Sequence, residues 1–490
     1  MDHQKTLSPH VLMFPLPLQG PVNSMLKLAE LLCLADFHVT FLNTNHIQNR
    51  LSRYTDIESR FSGYPKFRFE TVSDGLSDDS PRSADRFIEM FLSMEAVTFP
   101  LVTEMVASGP LSCNSERPVT CIIADGILSF AVDVGIEVGI PIIYFETISP
   151  CALWTYLCIP KLTETGQFPF KGDDLDAKLT CVPGMEGFLR QRDLPSFCRA
   201  SELIDSTIQL QLVLKQVQKF PKAQGLILNT FEELEGHLLS HISTVCPNLY
   251  AIGPIHAHLK ARLSLSPKLK PKHSLSNSLW EEDKSCMAWL DAQPKKSVIY
   301  FSVGSNTVIT RDQLMEFWHG LVNSGKRFLW VRRPESVSGG ESMKGQIPAE
   351  LLEGTKERGC IVGWAPQEEV LGHPAIGGFL THNGWNSTLE SITEGVPMIG
   401  WPHFVDQQVN SRFVGEVWKV GLDMKDTCDR VIIEKMVREL MDERKGEFEE
   451  SAKHLSKLAR ESVGEGGSSY CNLERLIEDI GSWSLHTLKS

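Results

Sequence analysis

Residues 376–397 read IGGFLTHNGWNSTLESITEGVP, and the fold turns on how this stretch is parsed. The apolar run Ile376–Thr381 reads as a strand, and His382, Asn383 and Gly384 read as a turn. A helix is expected to begin near Asn386 and Ser387 and to end at Gly395, with Pro397 beyond it. Strand, glycine-bearing turn and helix make one βα unit of a parallel sheet. The unpaired backbone N–H groups of Gly384 to Ser387 would point outward at the positive end of the helix dipole, which makes an anion site. His382, at the strand end, can donate a proton or a charge-assisted hydrogen bond to the same anion. Ser387 and Glu390 also satisfy S-x-x-E, a capping box that by itself accounts for both residues.

Outward from this unit the same alternation recurs. Short apolar, β-branched-rich runs begin at His10, His38, Thr120, Pro141 and Gly225, and again at Ser297, Arg327, Gly359, Ile376 and Pro397. Each is followed by a segment of helical period. After the first run, Met25, Leu28, Ala29 and Leu32 fall at i, i+3, i+4 and i+7, one face of a helix. The alternation pauses at residues 256–278, where five Lys or Arg, two Pro and no acid occur without a period; this reads as a solvated linker. An α/β protein of two doubly wound, Rossmann-like halves is expected, residues 1–255 and 279–465, with 466–490 as a C-terminal helix near Asn472 to Ile480. Ligands of such sheets sit at the carboxyl ends of the strands, and a cleft between the halves is the default site.

Composition narrows the function. Over 490 residues, 61 acidic and 48 basic side chains leave a net charge of −13, which argues against nucleic-acid binding. No uninterrupted apolar window of some 18 residues appears, and the most apolar region, Cys121 to Pro160, is broken by four acids, so no membrane span is expected. The N-terminus lacks a signal-peptide pattern, and a cytoplasmic protein is expected. Twelve cysteines without a C-x-x-C pair fit neither a disulfide framework nor a zinc site. The absence of G-x-G-x-x-G, G-x-x-x-x-G-K-[ST], H-E-x-x-H and G-x-S-x-G weighs against nicotinamide enzymes, P-loop proteins, zincins and serine hydrolases.

The stretch from Trp364 to Gln407, WAPQEEVLGHPAIGGFLTHNGWNSTLESITEGVPMIGWPHFVDQ, is 44 residues long. Read singly its residues are ordinary: Trp364 could be core, and Asp406 could cap a helix running through Val409 and Phe413. Their joint spacing resembles the signature box of plant family 1 UDP-sugar glycosyltransferases, and LPSF at Leu194, LNTFEELE at Leu228, IGPI at Ile252 and CMAWLD at Cys286 extend the resemblance over nearly the whole chain. The resemblance implies a GT-B fold. It assigns Trp364 to stacking on uracil, the Ala365 backbone to pairing with that ring, and Gln367 and Glu390 to the ribose hydroxyls. It further assigns Ser305, His382, Asn386 and Ser387 to the diphosphate, beside the Gly384 amide of the anion site, and Trp385, Asp406 and Gln407 to the sugar, with the closing Gln usual where glucose is the donor. Asn383 stands where the family commonly has Cys.

The sequence departs from the family pattern at the turn after the first strand. The family's base is a His in a QGH-type motif, oriented by an Asp on a later strand; this chain reads FPLPLQGPVNSM, with Pro21 in that place and Asp125 matching the supporting acid. His10 is a conceivable substitute, but it lies at the far end of the first strand. The resemblance implies an inverting, metal-independent UDP-glucose glucosyltransferase acting on a small hydrophobic acceptor, monomeric, with UDP-glucose as co-substrate and no cofactor. The alternative is a silent UDP-sugar- or aglycone-binding homologue. VNSMLKLAELL from Val22 and VPGMEGFLRQRDLPSF from Val182 are similar to glucosyltransferases of iridoid aglycones such as 7-deoxyloganetic acid. Loss of a base favours acceptors already ionised at neutral pH.

Overall fold

The computed structural model describes residues 8–487 apart from 79, 81, 83–85, 113–116, 171–173, 200–203, 266–274, 334–335 and 338–348. Two parallel sheets organise it. The first contains β1 (His10–Phe14), β2 (His38–Thr44), β3 (Phe67–Val72), β4 (Cys121–Asp125), β5 (Ile142–Glu146), β6 (Gly225–Leu228) and β7 (Leu249–Ala251) in the order β3-β2-β1-β4-β5-β6-β7. The second contains β8 (Val298–Ser302), β9 (Arg327–Val331), β10 (Gly359–Val362), β11 (Ile376–Thr381), β12 (Met398–Gly400) and β13 (Gly421–Asp423) in the order β10-β9-β8-β11-β12-β13. β1, β4, β5, β8 and β11 are buried along their whole length. Helices cover both faces of a parallel sheet, so such strands read as continuous apolar runs rather than as alternation.

In each sheet the order reverses once, between β1 and β4 and between β8 and β11. The loops leaving the carboxyl ends of neighbouring strands there run in opposite directions and leave a crevice. The expected α/β architecture is therefore present twice, and both crevices carry the residues singled out from sequence.

Three differences from the sequence reading have physical causes. β3, β7 and β13 were not anticipated. All three are sheet edges; β7 and β13 have three residues each, and β3 alternates charged and apolar residues with only Val72 buried, so none presents an apolar run. The expected linker at 256–278 opens with a helix, Ile255–Ser264, whose His256, His258, Leu259 and Leu263 are buried; residues 266–274 of it lie outside the described residues. Finally, the helical stretch Phe87–Ala107, 21 residues of mean hydropathy 1.4 and one-third buried, is by length and composition apolar enough to cross a membrane. Glu89, Glu95 and Glu104 interrupt it, so it shows no unbroken apolar run in the sequence. In this fold Met90, Phe91, Met94, Val102 and Val106 are buried.

The chain divides into two compact units, one comprising Met1–Pro160, Thr207–Leu279 and Glu461–Ser490, the other Lys161–Ser206 and Trp280–Arg460. The division expected at residues 255 and 465 is corrected accordingly: residues 161–206 belong with the second sheet. The C-terminal helix, Ser468–Thr487, belongs to the first unit. There the Tyr250 hydroxyl donates to Asp479 at 2.6 Å, and Thr120 and Ser484 share a hydrogen bond of 2.7 Å.

Beneath the second sheet's crevice lies an aromatic core. Phe301 packs on Phe317 at 4.7 Å between ring centroids, Phe317 on Trp401 at 4.4 Å, and Trp318 on Trp330 edge to face. Close-packed rings of this kind have few alternative arrangements, so the ends of β8 and β12 are held rigidly where they hand over to the site loops.

Candidate functional site

The second crevice is assembled from the turns after β8 and β11. β11 delivers His382, then Asn383 at φ +57° and Gly384, before the helix Trp385–Glu394. Asn is among the few non-glycine residues that adopt this left-handed backbone readily, and its Nδ2 lies 3.8 Å from Met398 Sδ. Gly304, after β8, has φ +77°, and a Cβ there would lie 2.4 Å from His382 Nε2; a Cβ on Gly384 would lie 2.5 Å from the same atom. Two glycines from two turns thus leave room for the imidazole and for whatever meets it.

The helix starts at Trp385, with Gly384 at the N-cap and no side-chain capping bond. Its first intrahelical bond runs from Thr388 N to Gly384 O at 3.0 Å. The amides of Trp385, Asn386 and Ser387 precede that bond and point out of the helix, as an anion site requires. This start corrects the capping-box reading: Ser387 is the third helical residue, not the cap. Gln367, at the head of the helix Gln367–Leu371, donates instead to Ser387 Oγ at 2.9 Å and to the Glu390 carboxylate at 2.7 Å. Burial pushes the His382 imidazole down to about 3, with the nearby His403 and Arg333 adding to the shift. Its Nδ1 is buried without a hydrogen-bond partner among the described residues. Burial therefore favours the neutral ring, and an anion held beside it would favour the protonated, charge-assisted donor.

Trp364 is partly exposed, and Ala365 beside it is buried. The Trp364 ring packs on Trp280 at 4.8 Å and 31°, and a half-open indole face suits a planar base. Trp385 is buried, with its ring 6.0 Å from that of Trp418, so at this position the helix offers its backbone amide. Ser305 lies in the turn after β8, partly exposed.

The turn before the helix Gln407–Glu416 carries the remaining residues. Asp406 occupies the N-cap position, yet makes no capping bond; its carboxylate accepts from Asn410 Nδ2 at 2.8 Å. Asn410 Nδ2 also donates to Asn383 O at 2.9 Å, tying this turn to the one after β11. Gln407 Oε1 accepts from the amides of His403 and Phe404 at 2.9 and 3.2 Å, so its amino end is the part that can address a hydroxyl. Between them Val405 has φ +59°, a strained conformation for a β-branched residue of the kind that clusters at ligand sites.

Buried charges fasten residues 174–193 to this same helix. Asp193, fully buried, meets Lys425 Nζ at 2.9 Å and Arg190 Nη2 at 2.9 Å, with Arg412 at 3.5 Å. Lys425 also donates to Gln408 O at 2.8 Å, and Arg412 to Phe188 O. This network lies wholly within the second unit, to which residues 161–206 belong.

The family model described as UDP-glucoronosyl and UDP-glucosyl transferase matches residues 273–462. The chain is 57% identical over 484 residues, 98% of its length and 99% of the relative's, to a 7-deoxyloganetic acid glucosyltransferase of Catharanthus roseus. The chain belongs to the UDP-glucosyltransferase family. It is 44% identical over 490 residues, 99% of each chain, to a myricetin 3-O-rhamnoside 1,2-glucosyltransferase of Crocosmia x crocosmiiflora. Among solved structures it is similar to Os79 from O. sativa in complex with UDP, at TM-score 0.76 and 28% identity over 97% of this chain and 100% of that one. The fold is GT-B, and the protein is a UDP-glycosyltransferase.

In this UDP-glycosyltransferase the first sheet's crevice holds Asp125. The acid ends β4 and is buried; Thr147 Oγ1 donates to it at 2.9 Å and the Ile127 amide at 3.2 Å. Burial pushes its carboxyl up to about 6, against the hydrogen bonds from Thr147, Ile127 and the Leu16 amide. The Leu16 contact brings Asp125 to the loop after β1. Pro21 is the third residue of the helix Gln19–Leu34, where an amide has no intrahelical partner, so its missing N–H costs the helix nothing. His10 stands at the opposite end of β1, its ring nitrogens bonded to Arg117 O and Thr40 Oγ1, both at 2.8 Å. It is a structural histidine and does not replace a base.

Sequence reasoning missed Trp280, Arg333 and Asn410, and Tyr300, whose hydroxyl donates to Gln367 Oε1 at 3.4 Å. The i, i+4 spacing of Asp406 and Asn410 was a usable signal. Trp280 and Arg333 lie outside the signature box, and only the fold brings them to it.

Proposed function

We propose that this enzyme transfers glucose from UDP-glucose, with inversion and without a metal, to a small terpenoid acceptor of iridoid type that carries an acidic group. The donor half rests on the box residues converging at the β8/β11 crevice. The outward amides of Trp385 to Ser387 and the buried Arg333 supply the positive field that offsets charge developing on the departing UDP. Among the described residues no three His, Cys, Asp or Glu side chains converge as metal ligands.

The acceptor half is carried by one observation, Pro21 in the first turn of the helix that follows the loop whose Leu16 amide bonds Asp125, joined to the 57% identity with a relative whose named substrate is an acid. A carboxylate with pKa near 4 is already ionised at pH 7. Its oxygen forms the new bond to the sugar's C1 as the C1–O bond to UDP breaks, and no proton has to be removed. A neutral alcohol must lose one, and general-base help of about 10² to 10⁴-fold is absent.

Two measurements test this. Calorimetry with UDP, with and without EDTA, is expected to show the same binding; loss on chelation removes the metal-free reading, and no binding removes the donor reading. Transfer to a matched acid and alcohol is expected to favour the acid, and Pro21→His to raise the alcohol rate by up to about 10² to 10⁴-fold through an imidazole oriented by Asp125. If the unaltered protein glucosylates the alcohol rapidly and Pro21→His changes nothing, another group is the base. Binding of UDP with transfer to neither acceptor identifies a silent binder instead.

A further inference from the structure

Behind the signature box stand two residues that belong to no part of it. Trp280 lies against one face of Trp364, at 4.8 Å between centroids. On the Trp280 ring sits the guanidinium of Arg333, 5.6 Å from the centroid. Arg333 is buried, 6% exposed, and leaves the end of β9. Its Nε donates to Gly304 O at 3.2 Å and its Nη2 to Thr307 O at 2.8 Å, so one planar fork spans the turn that contains Ser305. The Trp364 carbonyl accepts from the Asp283 amide at 2.9 Å, which holds the segment bearing Trp280 against the box.

We propose that Trp280 and Arg333 are positioning residues for the donor nucleotide: Trp280 backs the base-stacking face of Trp364, and Arg333 holds the diphosphate-facing turn after β8 in register with it. The inference rests on the reading of this crevice as the UDP-sugar site. The physical reason is preorganisation. An indole packed on one face has fewer arrangements to lose when a base covers the other, and a turn whose two carbonyls are already bonded presents its amides without rearrangement. Only arginine offers two donors in a fixed plane at this spacing; a lysine ammonium reaches one carbonyl or the other.

The two residues predict different signatures, read on the intact chain by calorimetry with uridine and with UDP and by steady-state kinetics with UDP-glucose. Binding of UDP by the unaltered protein checks the underlying site first. Trp280→Ala is then expected to weaken uridine and UDP by the same factor, about five- to tenfold, as loss of an aromatic contact implies. It should raise KM for UDP-glucose with kcat unchanged, because the lost interaction is the same in ground and transition states. Trp280→Phe is expected to restore most of the affinity. Arg333→Lys, which keeps the charge, is expected to weaken UDP more than uridine. Unchanged affinity in Trp280→Ala, or equal damage in the Phe and Ala variants, overturns the role of Trp280. Equal loss of uridine and UDP in Arg333→Lys, or no loss, overturns that of Arg333.

Discussion

Glu390 shows how far one residue's meaning depends on register. A capping role predicts that Glu390→Ala costs about 1 kcal/mol of stability and leaves ligand affinity intact. The helix starts at Trp385, so Glu390 lies in its second turn, holding Gln367 at 2.7 Å. Glu390→Ala should therefore weaken UDP-glucose binding by about tenfold, since a hydrogen bond to a charged group contributes roughly 1.5–3 kcal/mol and its loss frees Gln367, whereas a pure cap would lower the melting temperature and leave affinity intact; calorimetry on the variant at a temperature where a thermal melt shows it folded separates the two readings. His382 carries a pH prediction. Its folded value, about 3, lies below the ordinary 6.5, so the fold favours the neutral ring. That contribution to stability is present above pH 6.5 and is lost as pH falls from there toward 3. A bound diphosphate raises the value, so UDP-glucose, which has no group of its own titrating near neutrality, should bind with proton uptake at pH 6. Calorimetry in two buffers of different ionisation heat reads the uptake, and His382→Gln should abolish it. No uptake in the unaltered protein would mean the ring acts as a neutral N–H donor.

At the scale of elements, the strands that periodicity revealed are those with apolar runs, and the ones it missed are edges whose pairing is decided by a neighbour. β13 pairs with β12 over only three residues, and three residues carry no period. The same limit applies to Asp193, which by sequence is an unremarkable acid before LPSF. Burial alone would push its carboxyl up, but the Lys425 ammonium and the Arg190 fork overcome that and hold it below the usual carboxylate range. Its stabilising contribution is present above its unfolded pKa and is lost as pH falls through the lowered folded value. Removing one partner of a buried ion cluster strands the others, so Asp193→Ala is expected to cost about 3–5 kcal/mol and to weaken UDP-glucose more than UDP, because Lys425 braces the helix that begins with Gln407. Denaturant melts and the two affinities check both parts. An Asp193→Ala protein as stable as the parent would contradict the reading.

For the whole molecule, the C-terminal helix is the test of how the first unit is held together. Leu473, Leu476 and Ile480 are buried, and each fully buried apolar side chain contributes about 1.5–3 kcal/mol. Truncation before Ser468 therefore removes an amount comparable to the stability of a typical domain. It is expected to lower the melting temperature sharply or to yield insoluble chain; an unaltered melt would show that the first unit does not need the helix. What the sequence determined by itself was everything that repeats at short range: the ten strands that carry apolar runs, the βα alternation, the helix ended by Gly395 with Pro397 beyond, and the signature spacing from Trp364 to Gln407. These are set by local period and by chemistry within one segment, so 44 residues suffice to read them. Only the tertiary structure decided that residues 161–206 join the second sheet, that Gln367 rather than a cap holds Ser387 and Glu390, that His382 is buried where the neutral ring is favoured, and that Trp280 and Arg333 stand behind Trp364. Each of these depends on which side chains burial brings together across tens to hundreds of residues, where desolvation and charge pairing outweigh local preference and leave no period to read.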